Sequence, residues 1–401
     1  MQPNSRNVAI LFFTLVVVML GFGIVIPIFP YYIVEFNAGG RELGLLMAVF
    51  AVMQFIFAPI WGQISDRVGR KPLLLLGVTG NALSLLLFGL STQLWMLFVA
   101  RALGGLLSSA TLPTAMAFIG DSTSEENRGG GMGVMGAAMG VGMVIGPGLG
   151  GWLAEYSLSL PFFVAAGLST LALILIFLIL PESLPESERS VAVGKLKGPQ
   201  VGKLWQALLG PIGFLLFMAF LVSFALTNFE GIFGLYALER YGYTAQRVGT
   251  ILMLVGLISA VVQGGLTGPL TKRFGEAAVI KVSLLGSAIG FGLMLTANTF
   301  TGVMLTVGFF VLSNTMLRPA VSSLTSRRAE GGQGVAMGLN SAFMSLGRMV
   351  GPVWAGFIFD IDISYPYFTG VIIMFIGFVT AMIWLAQDGG VAQHPASTMG
   401  D

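Results

Sequence analysis

Gly62-Gln63-Ile64-Ser65-Asp66-Arg67-Val68-Gly69-Arg70-Lys71-Pro72 is a short, strongly basic turn set between two long apolar runs. Asp66, Arg67, Arg70 and Lys71 put four charges into six residues of a chain in which only 9% of residues are charged. Such a cluster between apolar stretches reads as a loop held at a membrane surface, and the composition around it supports that reading.

The chain has 401 residues, 55% of them hydrophobic, with a mean hydropathy of +0.88. A soluble protein of this length could not hide so much apolar surface in one or two cores, so the bilayer is the expected solvent. The 56 glycines suit helices packed closely through small residues. A net charge of +2 leaves no nucleic-acid footprint. Cysteine is absent, which excludes disulfides and thiolate chemistry, and the single histidine, His394, lies in a polar tail. Neither a metal centre nor a cofactor is expected. The first apolar run, Val8 to about Phe36, is too long for a cleavable leader and reads as a membrane span.

Counting apolar runs long enough to cross a hydrocarbon core of roughly 30 Å gives twelve spans. Their limits are 8–33, 44–64, 73–91, 95–118, 131–153, 162–181, 209–236, 247–270, 277–297, 301–326, 334–358 and 366–386. The expected architecture is an all-α membrane protein with two six-helix halves, 1–181 and 209–387. A polar linker, 182–208, joins them and a Gly-rich disordered tail, 388–401, follows. With the N-terminus inside, the inner loops take Arg6, Arg67, Arg70, Lys71, Arg128, Arg189, Lys195, Lys197, Lys203, Lys272, Arg273, Lys281, Arg327 and Arg328. The outer loops take only Arg41, Arg240 and Arg247, while Arg101, Arg318 and Arg348 fall within spans. This bias places both termini in the cytoplasm.

The halves repeat. Gly62-x-x-x-Asp66-Arg67-x-Gly69 returns 206 residues later as Gly268-x-x-x-Lys272-Arg273-x-Gly275. Gly146-Pro147 returns at 205 as Gly351-Pro352, and Glu35 at 204 as Glu239. A duplication of this kind puts a substrate path between the halves, near the midplane.

Between spans 2 and 3 of twelve, Gly62 to Lys71 resembles the loop 2–3 motif of the major facilitator superfamily, G-x-x-x-D-R-x-G-R-K, and the whole chain fits that family. Gly62 allows close helix approach and Gly69 a tight turn, while Arg67, Arg70 and Lys71 hold the loop inside. Asp66 can accept hydrogen bonds from a helix N-terminus, where its charge suits the dipole. The resemblance implies that this partner is the start of span 11, near Ala336 to Asn340, with Asp121 and Arg128 completing a latch between the halves. The plain alternative is a positive-inside loop with a glycine turn.

Arg101, in Leu97-x-x-x-Arg101-x-x-x-Gly105, resembles the superfamily's span 4 motif. A guanidinium within a span should face a partner or an aqueous cavity. The resemblance implies a part in proton coupling; the alternative is an arginine that snorkels to the outer boundary. Span 5 carries Gly136, Gly140, Gly146, Pro147, Gly150 and Gly151. Their four-residue spacing makes a smooth packing face, and Pro147 frees a carbonyl. This resembles the family's antiporter motif and implies export.

Nearly all of the 18 carboxylates lie in loops or at span ends, but Glu230 sits within span 7, in Thr227-Asn228-Phe229-Glu230-Gly231. Burial there disfavours ionisation, which is what a proton carrier requires; a hydrogen-bonded structural Glu is the alternative. Leu317-Arg318-Pro319-Ala320, Gly338-Leu339-Asn340-Ser341 and Gly356-Phe357-Ile358-Phe359-Asp360 resemble the NorA-type multidrug exporters of the drug:proton antiporter family. Those exporters carry an Asp three residues before the span 10 arginine, where this chain has Thr315, so Glu230 acts without a second acid. Similarity to the tetracycline exporters stops at Val18, where they carry an Asp.

The implied function is proton-driven export of amphipathic, cationic compounds by alternating access, through a monomer in the cytoplasmic membrane that uses the proton gradient and no cofactor. Phe22, Phe29, Tyr32, Gln54, Met139, Asn228, Phe229, Phe233, Thr315, Asn340 and Met344 are the candidate substrate contacts, an adaptable aromatic and thioether surface. Glu230, Arg101 and Arg318 are the candidate coupling residues. The alternatives are an exporter of one metabolite or lipid and, more remotely, a tetracycline exporter. An enzyme is disfavoured by spans that offer one carboxylate, no His and no Cys.

Overall fold

The computed structural model describes residues 5–123, 128–189, 198, 201–329 and 332–385, and among them every regular element is helical. Twelve helical segments are long and apolar enough to cross a membrane. In order they are Ser5–Glu35, Gly40–Val68, Arg70–Gly89, the pair Leu94–Ser108 and Thr111–Ser122, Arg128–Leu153 and Leu160–Ile179 in the first half. The second half has Gly213–Tyr241, the series Ala245–Val261, Val262–Leu266 and Thr267–Phe274, then Glu276–Met294, Phe300–Arg327, Gln333–Phe359 and Tyr365–Trp384.

Most spans outrun their sequence limits. Span 2, expected over 44–64, has 29 residues, about 44 Å at 1.5 Å per residue. A hydrocarbon core of roughly 30 Å therefore leaves its polar ends among headgroups and water. Two spans are interrupted where proline removes a donor. Span 4, expected as one helix, breaks at Ser109–Ala110 because Pro113 has no N–H for the Ser109 carbonyl. Span 8 widens at Val262–Leu266, where the backbone N–H of Thr267 reaches the Val262 carbonyl. The Thr267 hydroxyl donates to that carbonyl at 2.8 Å, and Pro269 leaves the Gly265 carbonyl without its helical donor.

Within the described part of the expected linker, Val201–Leu208 forms a short helix. Glu182 accepts from the backbone N–H groups of Arg70 (2.8 Å) and Lys71 (3.2 Å), capping span 3. The tail 388–401 with His394, the loop basic residues Lys195 and Lys197, and the side chains of Arg128 and Lys203 lie outside the described residues.

The repeat is visible in the packing. Spans 1 and 5, 3 and 4, and 3 and 6 pack together in the first half as spans 7 and 11, 9 and 10, and 9 and 12 do in the second. Each half has an aromatic heart: Phe29, Phe88 and Phe162 in one, Phe229, Phe291 and Phe310 in the other. The halves meet through span 2 against span 11 and span 5 against span 8. At the first crossing a Cβ on Gly44 would strike the Pro352 carbonyl and Gly356; at the second, one on Gly249 would strike the Pro147 carbonyl and Gly151. These two sets are one arrangement repeated at an offset of 205. Both crossings lie at the end away from the chain termini. Toward the other end Gly62, Gly136, Gly140, Gly264, Gly268 and Gly338 have no atom within 4 Å of an added Cβ, and the halves splay apart.

Candidate functional site

Glu230 lies near the middle of span 7. One turn earlier, the Thr227 hydroxyl donates to the Gly347 carbonyl of span 11 at 3.3 Å. Gly347 and Gly351 press span 11 onto the backbone of Phe220, Phe224 and Asn228, and Gly231 leaves room for Pro352. This close seam brings Arg348 into the neighbourhood of Glu230, and the charge of Arg348 acts on both Glu230 and Arg318. Glu230 is half-buried, while Arg318 and Arg348 are exposed. Charged groups exposed at this depth must border a water-filled cleft. Sequence reasoning places Arg348 within a span and gives it no role; its spacing of one turn before Gly351-Pro352 is the signal that could have found it. Among the described residues Glu230 is the one carboxylate away from a span end.

Arg101 does not join this group, and no hydrogen bond or ion pair among the described residues links it to Glu230. It is buried in the first half with its guanidinium carbon 5.7, 5.1 and 4.6 Å from the ring centres of Phe22, Phe29 and Phe50. One terminal nitrogen lies 3.4 Å from the Met47 sulfur, and Nε has no partner. The partner expected for this guanidinium is thus a set of three aromatic rings of its own half.

In the basic turn, Arg70 is the centre. Its buried guanidinium pairs with Asp66, donates to Asp121 at 2.9 Å and to the Ser65 hydroxyl at 3.0 Å. Gly69 holds φ at +114°, a region that disfavours any residue with a Cβ. Lys71 donates to the Phe177 carbonyl at 2.9 Å, and Arg67 is half-buried. Asp66 is not on span 11, where the resemblance put it: it is bonded within its own half, and Asn340 is held by Ser322 at 3.0 Å. The reason is the splay of the halves at this end, which separates the two sides of the expected latch.

The second half carries the same three positions with their charges reversed, and the second of the two ion pairs. At an offset of 206, Asp66, Arg70 and Asp121 become Lys272, Glu276 and Arg327. Arg327 Nε reaches Glu276 at 3.3 Å, as Arg70 Nε reaches Asp121. Carrying the repeat offset to Arg70 and Asp121 would have found this pair.

The span 5 glycines serve two partners. Gly142, Gly146 and Gly150 lie against span 1 at Met19, Leu20 with Gly23, and Ile24. Gly148 and Gly151 lie against span 8 at Met253 and Ala245. The expectation that Gly136 and Gly140 belong to the packing face is corrected, since both face open space. The seam with span 1 begins instead at Gly142 and continues through Gly146 and Gly150.

Of the candidate substrate contacts, Phe22, Gln54 and Met139 are partly accessible. Phe29, Tyr32, Asn228, Phe229, Phe233, Thr315, Asn340 and Met344 are buried in helix contacts in this state. Tyr32 shares a hydrogen bond with Ser159 (2.9 Å), Asn228 donates to the Pro366 carbonyl (3.1 Å), and Thr315 lies 3.2 Å from the Ser259 hydroxyl.

The sequence pattern of the Major Facilitator Superfamily matches residues 11–329 and, in an overlapping stretch, 264–400. The chain is 35% identical to Multidrug resistance protein 1 of Bacillus subtilis (strain 168), over 96% of its own length and 98% of that protein's. It is 32% identical to Multidrug resistance protein 2 of the same organism, over 96% of both chains. It is 29% identical to Quinolone resistance protein NorA of Staphylococcus aureus (strain COL), over 94% and 96%. Among solved structures, a point mutant of the nucleoside transporter NupG superposes with a TM-score of 0.79 at 12% identity, covering 94% of this chain and 99% of that one. The human organic anion transporter MFSD10 (TETRAN) gives 0.68 at 23% identity, covering 95% and 100%.

Proposed function

The chain belongs to the major facilitator superfamily, and from that premise we propose that it is a proton-coupled antiporter exporting amphipathic and cationic drugs across the cytoplasmic membrane by alternating access. Near-full-length similarity to two multidrug resistance proteins supports the drug class. Glu230, the one described carboxylate within the span interior, is the observation that carries the coupling.

The cleft holds Glu230 with Arg318 and Arg348. Ionised Glu230 leaves it one charge less positive than protonated Glu230, so a cation is repelled less in the first state than in the second. Proton and cationic substrate therefore compete for one carboxylate, which is the minimum that exchange requires. The proton gradient supplies the energy without a cofactor, and interior spans without His or Cys are those of a carrier and not an enzyme.

The bias of basic residues toward the loops at the terminal end supports cytoplasmic termini; on that reading the splayed end opens inward and the two glycine crossings close the outside. In the opposite state the cytoplasmic ends meet, and Asp66 then reaches the start of span 11. The test is proton-gradient-driven uptake of a cationic dye by inverted vesicles. Native protein accumulates dye; Glu230→Gln binds it without uphill movement. Undiminished uphill transport by Glu230→Gln would remove the proposal.

A further inference from the structure

Asp360 ends span 11 in the second half, and its carboxylate reaches across to the first. Oδ1 accepts from the Gly40 backbone N–H at 2.7 Å and Oδ2 from that of Arg41 at 3.0 Å. These are two of the first-turn donors of span 2 that the helix itself cannot satisfy. Glu42 satisfies a third, accepting from Gly39 at 2.9 Å. The positive end of the helix dipole suits the Asp360 charge, and a bidentate ionic cap is stronger than a neutral one. A Cβ on Gly39 or Gly40 would meet Asp360 Oδ1 at 3.0 or 2.9 Å, so glycine admits the carboxylate. The Arg41 guanidinium adds a second contact, 4.5 Å from the Phe357 ring centre.

The equivalent crossing of spans 5 and 8 has no such clamp. The repeat offset of 205 takes Asp360 to Glu155, which is exposed and makes no hydrogen bond to span 8 among the described residues. We propose that Asp360 is the outer-gate latch of the transport cycle, a carboxylate that caps span 2 only while the outer end is closed. It is the counterpart, at the other membrane face, of the role expected for Asp66. Both place an acid from one half on a helix N-terminus of the other, and each favours the opposite state.

The proposal rests on alternating access, and its test keeps the two separable. The chain has no native cysteine, so spin labels at Ser157→Cys and Asn298→Cys, exposed outer-loop sites in the two halves, report outer-end opening. In proteoliposomes the native background should be mostly closed. Asp360→Ala should raise the open fraction relative to closed about fivefold, the effect of losing one good cap. Asp360→Asn, whose amide oxygen still accepts one bond, should give less, and Glu155→Ala none. Gly39→Val, which displaces the carboxylate without altering it, should act in the same direction as Asp360→Ala and serves if that variant does not fold. A lower melting temperature with an unmoved distance distribution would assign Asp360 a structural role only and overturn the proposal. A native protein showing one outer distance under every proton and substrate condition would instead overturn alternating access itself.

Discussion

Gly249→Ala isolates the gate from the fold. A Cβ at this position would lie against the Pro147 carbonyl and within 3.0 Å of Gly151 Cα, both backbone atoms of the other half. Backbone cannot rotate away as a side chain can, so the added methyl costs about 1–3 kcal/mol. That cost falls only on the state in which the outer crossing is closed. The outward-to-inward ratio should therefore rise between about fivefold and about 150-fold, at about 1.4 kcal/mol per factor of ten. The spin-label pair at positions 157 and 298 reads this ratio directly. Gly146→Ala is the matched control: its Cβ would meet Leu20 and Gly23 of span 1 within the same half. It should lower the melting temperature in detergent while leaving the distance distribution unchanged. An unmoved distribution in Gly249→Ala, or an equal movement in Gly146→Ala, would refute the division of span 5 into a packing face and a gating face.

The two charge-reversed pairs should differ in strength. Arg70 is buried with several partners, so Arg70→Ala should cost about 2–3 kcal/mol. Arg327 is 71% exposed, so Arg327→Ala should cost about 0.5–1 kcal/mol, and thermal unfolding of the two variants should preserve that order. Glu182→Ala, which uncaps span 3 at Arg70 and Lys71, should cost about 1 kcal/mol in the same assay. Asp66→Ala should move the spin-label distribution toward a closed outer end, opposite in sign to Asp360→Ala.

The twelve spans were legible because hydropathy and charge bias act over twenty residues at once. Their ends were not, since a helix can continue into headgroups without further apolar residues, as span 2 does from Gly40 to Val68. The breaks at Ser109 and Val262–Leu266 had a visible cause in Pro113 and Pro269, but apolar periodicity masked it. Glycine roles were only half readable. Gly146 and Gly150 stood out by spacing, whereas Gly44 and Gly249 acquire meaning only from the partner backbone. Phe29, Phe229 and Phe233 show a similar limit: an aromatic on a span can face lipid, core or cleft, and composition does not distinguish them. Glu230 was legible because a lone interior acid is costly enough to need a reason. Arg348 was not, because its neighbourhood depends on how closely spans 7 and 11 approach.

The central claim is that Glu230 exchanges a proton for substrate. Its most direct measurement is substrate-driven proton movement in proteoliposomes that start without a pH gradient, followed with an internal pH dye. Adding a cationic substrate on one side should move protons the opposite way through the native protein and not through Glu230→Gln. Proton movement of equal size in Glu230→Gln, or substrate flux through the native protein without any, would contradict it.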